Sequence, residues 1–302
     1  MNQPEGKSGF KSGFIALVGR PNVGKSTLMN ILVGRKLAIM SDKPQTTRNR
    51  ITAILTTDRA QLVFIDTPGI HKPKHKLGEY MVTTARNVLG EVDVILFLAE
   101  AGHLGPGPGD RYIMDMLRET QTPVILVINK TDLAEEDAVQ SLSELYRREM
   151  EFNSIIPVSA LHGTNTRDLV ENIISLLREG PQYYPDDMTT DQPEQAIIRE
   201  IIREKVLHLT REEIPHSVAV EIEEIKQRHQ DMIYVRAVIY TEKESQKGII
   251  VGKQGQMLKK TGALAREDIE NLLGSKVYLD LWVKVKKDWR NRDNVLRDLG
   301  YE

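Results

Sequence analysis

Cysteine is absent from the 302-residue chain, so the protein forms no disulfide and offers no thiolate to a metal ion. This absence fits a reducing cytosol. No apolar run approaches the roughly 18–20 residues that span a bilayer, and none precedes the first predicted strand. We therefore expect neither a membrane span nor a signal peptide. A net charge of −2 leaves no excess of one sign that would indicate a nucleic-acid or membrane partner.

The length favours about two domains, each large enough to bury its own core. We predict a flexible N-terminus at 1–12, a first domain at 13–180, a linker at 181–195 and a second domain at 196–302. In the first domain, strand-like apolar runs alternate with helical patterns. This alternation predicts an α/β domain with a mostly parallel sheet and helices on both faces. The second domain has the order helix, strand, strand, helix, strand, which predicts a small α+β fold.

Three polar strings in the first domain each follow an apolar run typical of a buried strand, at 15–18, 62–65 and 124–128. Because ligands bind beyond the carboxyl ends of strands in open α/β sheets, we expect the strings to meet at one crevice. The first string comprises Gly19, Arg20, Pro21, Asn22, Val23, Gly24, Lys25 and Ser26.

This first string has the spacing of a P-loop, with Gly34 placed to end the helix that follows. Its glycines let successive backbone amides point at phosphate oxygens. Lys25 would place its charge on the terminal phosphates, and Ser26 would ligate Mg²⁺. P-loops also occur in ATPases and small-molecule kinases, so this string alone does not identify the base.

A later string favours guanine as the base. It comprises Asn129, Lys130, Thr131 and Asp132, and is followed by Ser159 and Ala160 after the next predicted strand. The Asp132 carboxylate can accept two hydrogen bonds from one edge of guanine, an arrangement that adenine does not offer. Asn129 would tie its loop to the phosphate loop. Lys130 would lie along the base, and Ser159-Ala160 would place a backbone amide near the guanine carbonyl.

The remaining string indicates a switch that responds to the γ-phosphate. It comprises Asp66, Thr67, Pro68 and Gly69, followed by Ile70. Asp66 would face Mg²⁺, and the Gly69 amide would bind the γ-phosphate and release it after hydrolysis. Between this string and the P-loop, the aperiodic stretch 43–48 contains two threonines. We favour Thr47 over Thr46 as a Mg²⁺ ligand, with a solvated loop hydroxyl as the alternative, and we name Lys25, Thr47 and Gly69 as catalytic.

Two segments of the second domain are strongly basic, although the whole chain has almost no net charge. Residues 243–260 contain five lysines and one acid, and residues 284–292 contain five basic residues and one acid. A Gly-x-x-Gly string that precedes a predicted helix matches the loop with which KH domains clamp single-stranded RNA. The candidate RNA-binding residues are Gly252, Lys253, Gln254, Gly255, Lys247, Lys259 and Lys260. We expect Tyr278, Trp282 and Trp289 to serve packing rather than base stacking.

Together the strings and their order resemble the Era-type GTPases, which join a P-loop GTPase domain to a type II KH domain, over nearly the whole chain. The resemblance implies GTP hydrolysis, binding near the 3′ end of 16S ribosomal RNA, a role in 30S subunit assembly and a monomeric protein. It also implies a cytoplasmic protein with contact at the inner face of the cell membrane. GTP and GDP would be its nucleotides, and Mg²⁺ its cofactor.

Ile70 stands where Ras-like GTPases have the glutamine that orients the attacking water, so we expect slow intrinsic hydrolysis. Asn22 matches the asparagine with which potassium-activated relatives hold K⁺, although a plain turn residue is an equal alternative. The basic segment 71–76 is either a solvated loop or a segment that contacts the phosphate backbone of a nucleic acid.

Two other functions are also considered for the whole chain. A membrane-peripheral signalling GTPase, with a C-terminal domain that binds protein or lipid, stays open, whereas Asp132 disfavours an ATP-using enzyme.

Overall fold

The computed structural model describes residues 9–41, 43, 45–70, 72–73, 75–229 and 232–301. Two residues of the predicted basic segment, His71 and Lys74, lie outside this description, as does the start of the predicted flexible N-terminus. The chain forms two compact units. The first contains the described residues up to Ala38 together with Thr47–Lys72 and Met81–Asp191. The second contains Ile39–Thr46, Pro73–Tyr80 and the described residues from Gln192 onward.

The first unit is built on a sheet with helices on both faces, as predicted. Its elements are β1 (Lys11–Gly19), α1 (Lys25–Val33), β2 (Ile51–Thr56), β3 (Ala60–Asp66), the part of α2 (Lys76–Leu89) from Met81 onward, β4 (Val94–Glu100), α3 (Pro108–Leu117), β5 (Val124–Asn129), α4 (Glu136–Glu149), β6 (Ser154–Pro157) and α5 (Thr166–Leu176). Within the described residues the strand order is β2-β3-β1-β4-β5-β6. Only the β2–β3 pair in this sheet is antiparallel.

Alternate residues of the central strand β1 enter different cores. Ile15 and Leu17 belong to one buried apolar cluster, whereas Ala16 and Val18 belong to another. Because successive side chains of a strand point to opposite faces, this division places an apolar core on each side of the sheet. The continuous apolar run therefore reflects a strand that is covered on both faces, and the carboxyl end of β1 opens directly into the phosphate loop.

The helix α2, which belongs to the first unit only from Met81 onward, was missed by the sequence interpretation. Its residues Leu77, Met81, Ala85 and Val88 are all buried. They lie at the spacing of one face of an α-helix, so the periodic signal was present in the sequence.

The stretch between the last helix of the first unit and the next unit is anchored rather than free. The amide of the buried Gln61 donates to the Tyr184 carbonyl at 2.8 Å and accepts from the backbone N–H groups of Tyr183 and Tyr184. Farther along, the backbone N–H of Ile54 donates to the Thr189 carbonyl at 2.8 Å. Residues 183–189, which lie in the predicted linker, therefore pack along β2 and β3.

The second unit contains a three-stranded sheet among its described residues, with helices before and after it. Its elements from Gln192 onward are α6 (Glu194–Leu209), α7 (Ile214–Ser217), β7 (Ala219–His229), β8 (Met232–Thr241), α8 (Glu244–Val251), α9 (Gln256–Leu273), β9 (Lys276–Val285) and α10 (Asp293–Asp298). The order is β7-β8-β9, antiparallel for the first pair and parallel for the second. Apolar residues of α6, α9 and the sheet share one core.

The predicted order of the second domain lacked a helix between β8 and α9, whereas Glu244–Val251 forms α8 there. The Gln246 side chain accepts hydrogen bonds from the backbone N–H groups of Glu242 and Lys243, at 2.9 and 3.1 Å. A glutamine at this position satisfies donors at the start of a helix that would otherwise lack partners. No helix in the described part of the chain is long and apolar enough to span a membrane.

Candidate nucleotide site and nucleic-acid groove

The phosphate loop connects β1 to α1 and wraps around the Lys25 ammonium group. Its Nζ donates to the carbonyl oxygens of Gly19 at 3.1 Å and Arg20 at 3.0 Å. Burial lowers the pKa of Lys25 to about 8, and the nearby Asp66 carboxylate opposes that shift. A buried cation held at the start of a helix suits an anionic ligand, since the helix dipole and the amides favour negative charge there.

Gly24 lies at a point of close approach between the phosphate loop and the loop after β5. Its φ is 98°, and a Cβ there would lie 2.2 Å from Asn129 Nδ2. That Nδ2 donates to the Val23 carbonyl at 2.8 Å, while Asn129 Oδ1 accepts the Ala160 N–H at 2.9 Å. The predicted tie between Asn129 and the phosphate loop is therefore present, and it extends to the loop after β6.

Three oxygen-bearing side chains from distant parts of the sequence meet beside Lys25. Asp66 Oδ2 accepts from Ser26 Oγ at 2.6 Å and from Thr47 Oγ1 at 3.0 Å, and the two hydroxyl groups lie 2.9 Å apart. Burial raises the pKa of Asp66, against the lowering effects of Lys25 and the two hydroxyls. Among the described residues, buried Asp66 Oδ1 has no hydrogen-bond partner. Two hydroxyls and an unpartnered carboxylate oxygen fit a hard divalent cation such as Mg²⁺.

The structure places Thr47, and not Thr46, in this cluster. Thr46 Oγ1 instead donates to the Lys43 carbonyl at 2.5 Å, which closes a local turn. Thr47 is 6% exposed although no strand or helix includes it. Pro44, within the same predicted stretch, lies outside the described residues. The preference for Thr47 therefore agrees with the observed position of its hydroxyl.

Gly69 and Ile70 bring the end of the second string against the phosphate loop. A Cβ at Gly69 would lie 2.8 Å from the backbone of Pro21, so a larger residue would push the two loops apart. The Ile70 N–H donates to the Gly19 carbonyl at 3.2 Å, while its side chain is 1% exposed within an apolar core. Thr67 is also buried and donates to the Leu17 carbonyl at 2.7 Å.

The predicted base-binding residues lie together on the loops after β5 and β6. The exposed Asp132 carboxylate accepts a hydrogen bond from Ser159 Oγ, which lowers the pKa of Asp132 and keeps it charged. Thr131 N–H donates to the Val158 carbonyl at 3.2 Å. Lys130 has a φ of 64° and places its Nζ 3.0 Å from Glu100.

Ser159-Ala160 was expected to place one backbone amide near the guanine carbonyl, but the amides of both residues already have acceptors within the protein. The Ser159 N–H donates to the Thr164 carbonyl at 3.3 Å, and the Ala160 N–H donates to Asn129 as described above. The geometry therefore brings Ser159 and Ala160 to the site but uses their amides to hold its loops together.

Arg20 differs from the other residues of its string, because its side chain extends to α3. Its Nε donates to Asp110 Oδ1 at 2.9 Å, and Asp110 Oδ2 accepts the Gly107 N–H at 3.0 Å. Asp110 is fully buried, a position in which a carboxylate needs such partners. The sequence interpretation missed Asp110, and its spacing from Arg20 gave no signal. In the structure, the Arg20 carbonyl accepts a hydrogen bond from Lys25, and the Arg20 guanidinium forms an ion pair with Asp110.

In the second unit, the Gly-x-x-Gly string forms a tight turn between α8 and α9. Gly252, Gln254 and Gly255 have φ values of 72°, 50° and 77°. A Cβ at Gly252 would lie 2.7 Å from Met257 Cβ, so glycine is required there by conformation and by space. The turn points into the N-terminus of α9, where unpaired N–H groups favour an anion. The lysines beside it, Lys253, Lys259 and Lys260, are exposed, and Lys247 is half-buried.

A groove runs from this turn between α9 and the edge strand β9. It is lined by Gly255, Leu258, Lys259, Gly262, Ala263, Arg266, Val277, Tyr278, Leu279 and Leu281. Arg266, which is exposed, was missed as a candidate ligand contact. The packing role expected for the three aromatics is correct for Trp289, which is buried and donates to the Ser217 carbonyl at 2.9 Å. Tyr278 and Trp282 are 52% and 53% exposed, and the Tyr278 ring stacks on the ring of Tyr234 with 5.9 Å between centroids.

Two family models match the two parts of the chain. One is described as a 50S ribosome-binding GTPase and matches residues 14–130. The other, a KH domain, matches residues 213–290. The chain is 56% identical over 294 residues to the GTPase Era of Alkaliphilus metalliredigens (strain QYMF), which covers 97% of this chain and 99% of that protein.

Two solved structures of Era extend this similarity to three dimensions. One is a tyrosine-to-alanine variant of Aquifex aeolicus Era bound to GDP·AlF4−, with a TM-score of 0.93 and 44% identity. The other is Era in complex with MgGDPNP and nucleotides 1506–1542 of 16S ribosomal RNA, with a TM-score of 0.94 and 44% identity. Each match covers 97% of this chain and 99% of the other. The chain therefore belongs to the Era family of GTPases.

Proposed function

We propose that this protein is a GTP-hydrolysing switch that binds 16S ribosomal RNA near its 3′ end and acts in 30S subunit assembly. The observation that supports this best is the convergence of Ser26, Thr47 and Asp66 beside Lys25 in a chain that also has the two-glycine turn and groove. A similar Era structure contains both MgGDPNP and a segment of 16S ribosomal RNA, which supports the pairing of these two ligands.

The roles of the nucleotide-site residues follow from the geometry. Lys25 would donate to the terminal phosphates, Gly69 would offer its amide to the γ-phosphate, and Asp132 would accept from guanine. Ser26, Thr47 and Asp66 would hold Mg²⁺. This ion neutralises charge that develops on the phosphates. The remaining proposed GTP contacts are Gly19, Arg20, Pro21, Asn22, Val23, Gly24, Thr67, Pro68, Ile70, Asn129, Lys130, Thr131, Ser159 and Ala160.

Hydrolysis would be slow, because the Ile70 side chain is buried and has no group that orients water. We propose that K⁺ at Asn22 takes over part of the charge stabilisation that an arginine finger supplies elsewhere. The support is the position of Asn22 in the phosphate loop, in an exposed turn with φ of 65°. Turnover in potassium buffer should exceed turnover in sodium buffer. Equal rates would leave Asn22 as a turn residue only.

The groove between α9 and β9 would receive single-stranded RNA, with Gly252, Lys253, Gln254 and Gly255 against the phosphates. The test is filter binding of the full chain to a single strand with the 3′-end sequence of 16S ribosomal RNA, across a salt series. We expect binding that weakens with salt, as phosphate contacts require. Affinity that does not depend on salt, or no affinity at all, would contradict an RNA function.

Arg266 provides a sharper test of this groove, because it lines the groove from α9 and its side chain is exposed. Arg266→Ala should weaken RNA binding and reduce the slope of log K against log salt by roughly 0.7, the value for one contact to single-stranded nucleic acid. Arg228 on β7 is the matched control, since it is also exposed and does not line the groove. Equal losses from both alanine variants would place the RNA elsewhere.

The alternative is a membrane-peripheral signalling GTPase whose C-terminal domain binds protein or lipid. Its support is the same basic surface, whereas the two-glycine turn and groove favour RNA. Flotation with anionic vesicles measures contact with the inner face of the membrane, and a monomer is expected in solution.

We assign 13–180 as the GTP-binding domain, 181–195 as the linker and 196–302 as the KH domain, after an N-terminal segment at 1–12.

A further inference from the structure

One helix of the second unit holds the segment that leads to Thr47. Residues Ile39–Thr46 belong to the same compact unit as α6. The Met40 N–H donates to Glu204 Oε1 at 3.0 Å, and His208 Nε2 donates to the Met40 carbonyl at 2.7 Å. The start of the segment is thereby held at both its backbone donor and its backbone acceptor.

The end of the segment is held by Arg203, whose side chain is fully buried. Its Nη1 donates to the Gln45 carbonyl at 3.3 Å, and its Nη2 donates to the Thr46 carbonyl. Its Nε donates to both carboxylate oxygens of Glu200, each at 3.2 Å. A planar guanidinium can bind several acceptors in one fixed geometry, which a lysine ammonium does not reproduce. Arg203 therefore fixes two successive peptide groups.

Those two peptide groups stand directly before Thr47, and Thr46 is joined to it by one peptide bond. The Thr47 hydroxyl lies within hydrogen-bond distance of Ser26 and Asp66. We propose that Arg203 is a positioning residue for GTP hydrolysis. It fixes the backbone of residues 45 and 46, so that Thr47 stays within reach of the cation and the γ-phosphate. This inference rests on the role proposed above for Thr47.

The test compares nucleotides with and without a γ-phosphate in the full chain. Thr47 is expected to matter only when the γ-phosphate is present, so Arg203→Gln should leave GDP affinity unchanged. It should lower the affinity for a non-hydrolysable GTP analogue and reduce kcat by at least about tenfold, since small misplacements of reacting groups are costly. Arg203→Lys keeps the buried charge and should show the same pattern with a smaller loss.

Arg199→Gln is the matched control, because it removes a guanidinium one turn earlier on the same helix. That group donates to the Leu299 carbonyl at 3.3 Å, lies 4.0 Å from a Glu200 oxygen and has no hydrogen bond to residues 45 and 46. A wild-type kcat in Arg203→Gln would overturn the proposal. So would an equal loss of GDP and GTP-analogue affinity, or an equal kcat loss in Arg199→Gln. If Arg203→Gln does not fold, the Arg203→Lys variant provides the test. A wild-type kcat and a wild-type affinity for the GTP analogue in that variant would overturn the proposal.

Thr47→Val separates this inference from the function on which it rests. If Thr47→Val hydrolyses GTP at the wild-type rate, the role assigned to Thr47 fails whatever Arg203 does. If Thr47→Val is impaired, Arg203→Gln added to it should cause no further loss of kcat, because both changes remove the same interaction. Additive losses would mean that Arg203 acts by another route.

Discussion

The nucleotide site and the nucleic-acid groove differ in how far their charged groups are removed from water. Lys25, Thr47, Asp66 and Asn129 are each at most 6% exposed, and their side-chain atoms bind one another or nearby carbonyls. The lysines beside the two-glycine turn face solvent. We therefore expect recognition in the first region to depend on fixed geometry, and recognition in the second to depend on the sum of several screened charges.

This difference predicts different responses to substitution. Removing a buried group leaves its partners without hydrogen bonds in a medium of low dielectric constant, which costs the full desolvation penalty. Removing an exposed lysine loses a Coulomb interaction that water and salt already weaken. We expect few, large effects at the nucleotide site and several smaller, salt-dependent effects at the groove.

The largest effect is expected from Lys25→Ala. Loss of a buried charge that faces the phosphates should cost GTP binding about 2–5 kcal/mol, or roughly 30-fold to several thousand-fold in Kd. Titration with a fluorescent GTP analogue measures it. Arg35→Ala removes an exposed charge just beyond the same helix and should change Kd by less than about twofold. Comparable losses of GTP affinity in the two variants would contradict the expectation that a buried charge contributes more to binding than an exposed one.

Next in size is Asp132→Asn, which exchanges a carboxylate for an amide at the proposed base site. GTP affinity should fall by about 1.5–3 kcal/mol, or roughly tenfold to 150-fold. Affinity for xanthosine triphosphate should rise, because xanthine offers an acceptor where guanine offers a donor. Competition binding with both nucleotides measures the exchange, and Asp137→Asn on α4 is the control. Unchanged GTP affinity would show that the base lies elsewhere.

At the groove, Gly252→Asp should be the most damaging single change. It adds a negative charge and forces a side chain into a backbone with φ of 72°, 2.7 Å from Met257 Cβ. Strain and repulsion together should weaken RNA binding by about 1–3 kcal/mol, with GTP affinity unchanged. Gly248→Asp adds the same charge on α8, where the structure leaves space for it. Equal RNA binding by the two variants would exclude the turn as an RNA contact.

The smallest effect is expected from single lysines. Lys260→Ala should reduce the slope of log K against log salt by roughly 0.7, the value for one contact to single-stranded nucleic acid. Lys226 on β7, at the opposite edge of the sheet from β9, is the control and should leave the slope unchanged. A salt slope that is unaltered in Lys260→Ala would remove this lysine from the interface.

The sequence predicted those parts of the site that depend on local order. A polar string after a buried run identifies the end of a strand, which is why Lys25, Asp66 and Asn129 were found with their elements. Helix α2 was missed although Leu77 and Met81 lie at the spacing of one helix face.

Contacts between residues far apart in the chain left no such signal. Gln61 binds Tyr183 and Tyr184, and Arg203 binds the Gln45 carbonyl, across more than one hundred residues in each case. Neither pairing changes the local pattern. The exposure of Tyr278 was also missed, although its place between the apolar Val277 and Leu279 in an alternating strand indicates the face away from the core.

The buried Ile70 limits how this GTPase could become faster. Its side chain belongs to the core beneath α2, while its N–H binds the phosphate loop. A glutamine at this position would place an amide among apolar neighbours, at a cost of about 1–3 kcal/mol for its unpaired groups. A single Ile70→Gln substitution should therefore not produce catalysis of the Ras type. The new side chain would lie in the hydrophobic core, where it cannot orient the attacking water. We therefore expect the packing of Ile70 in the core to keep hydrolysis slow and the GTP-bound state long-lived.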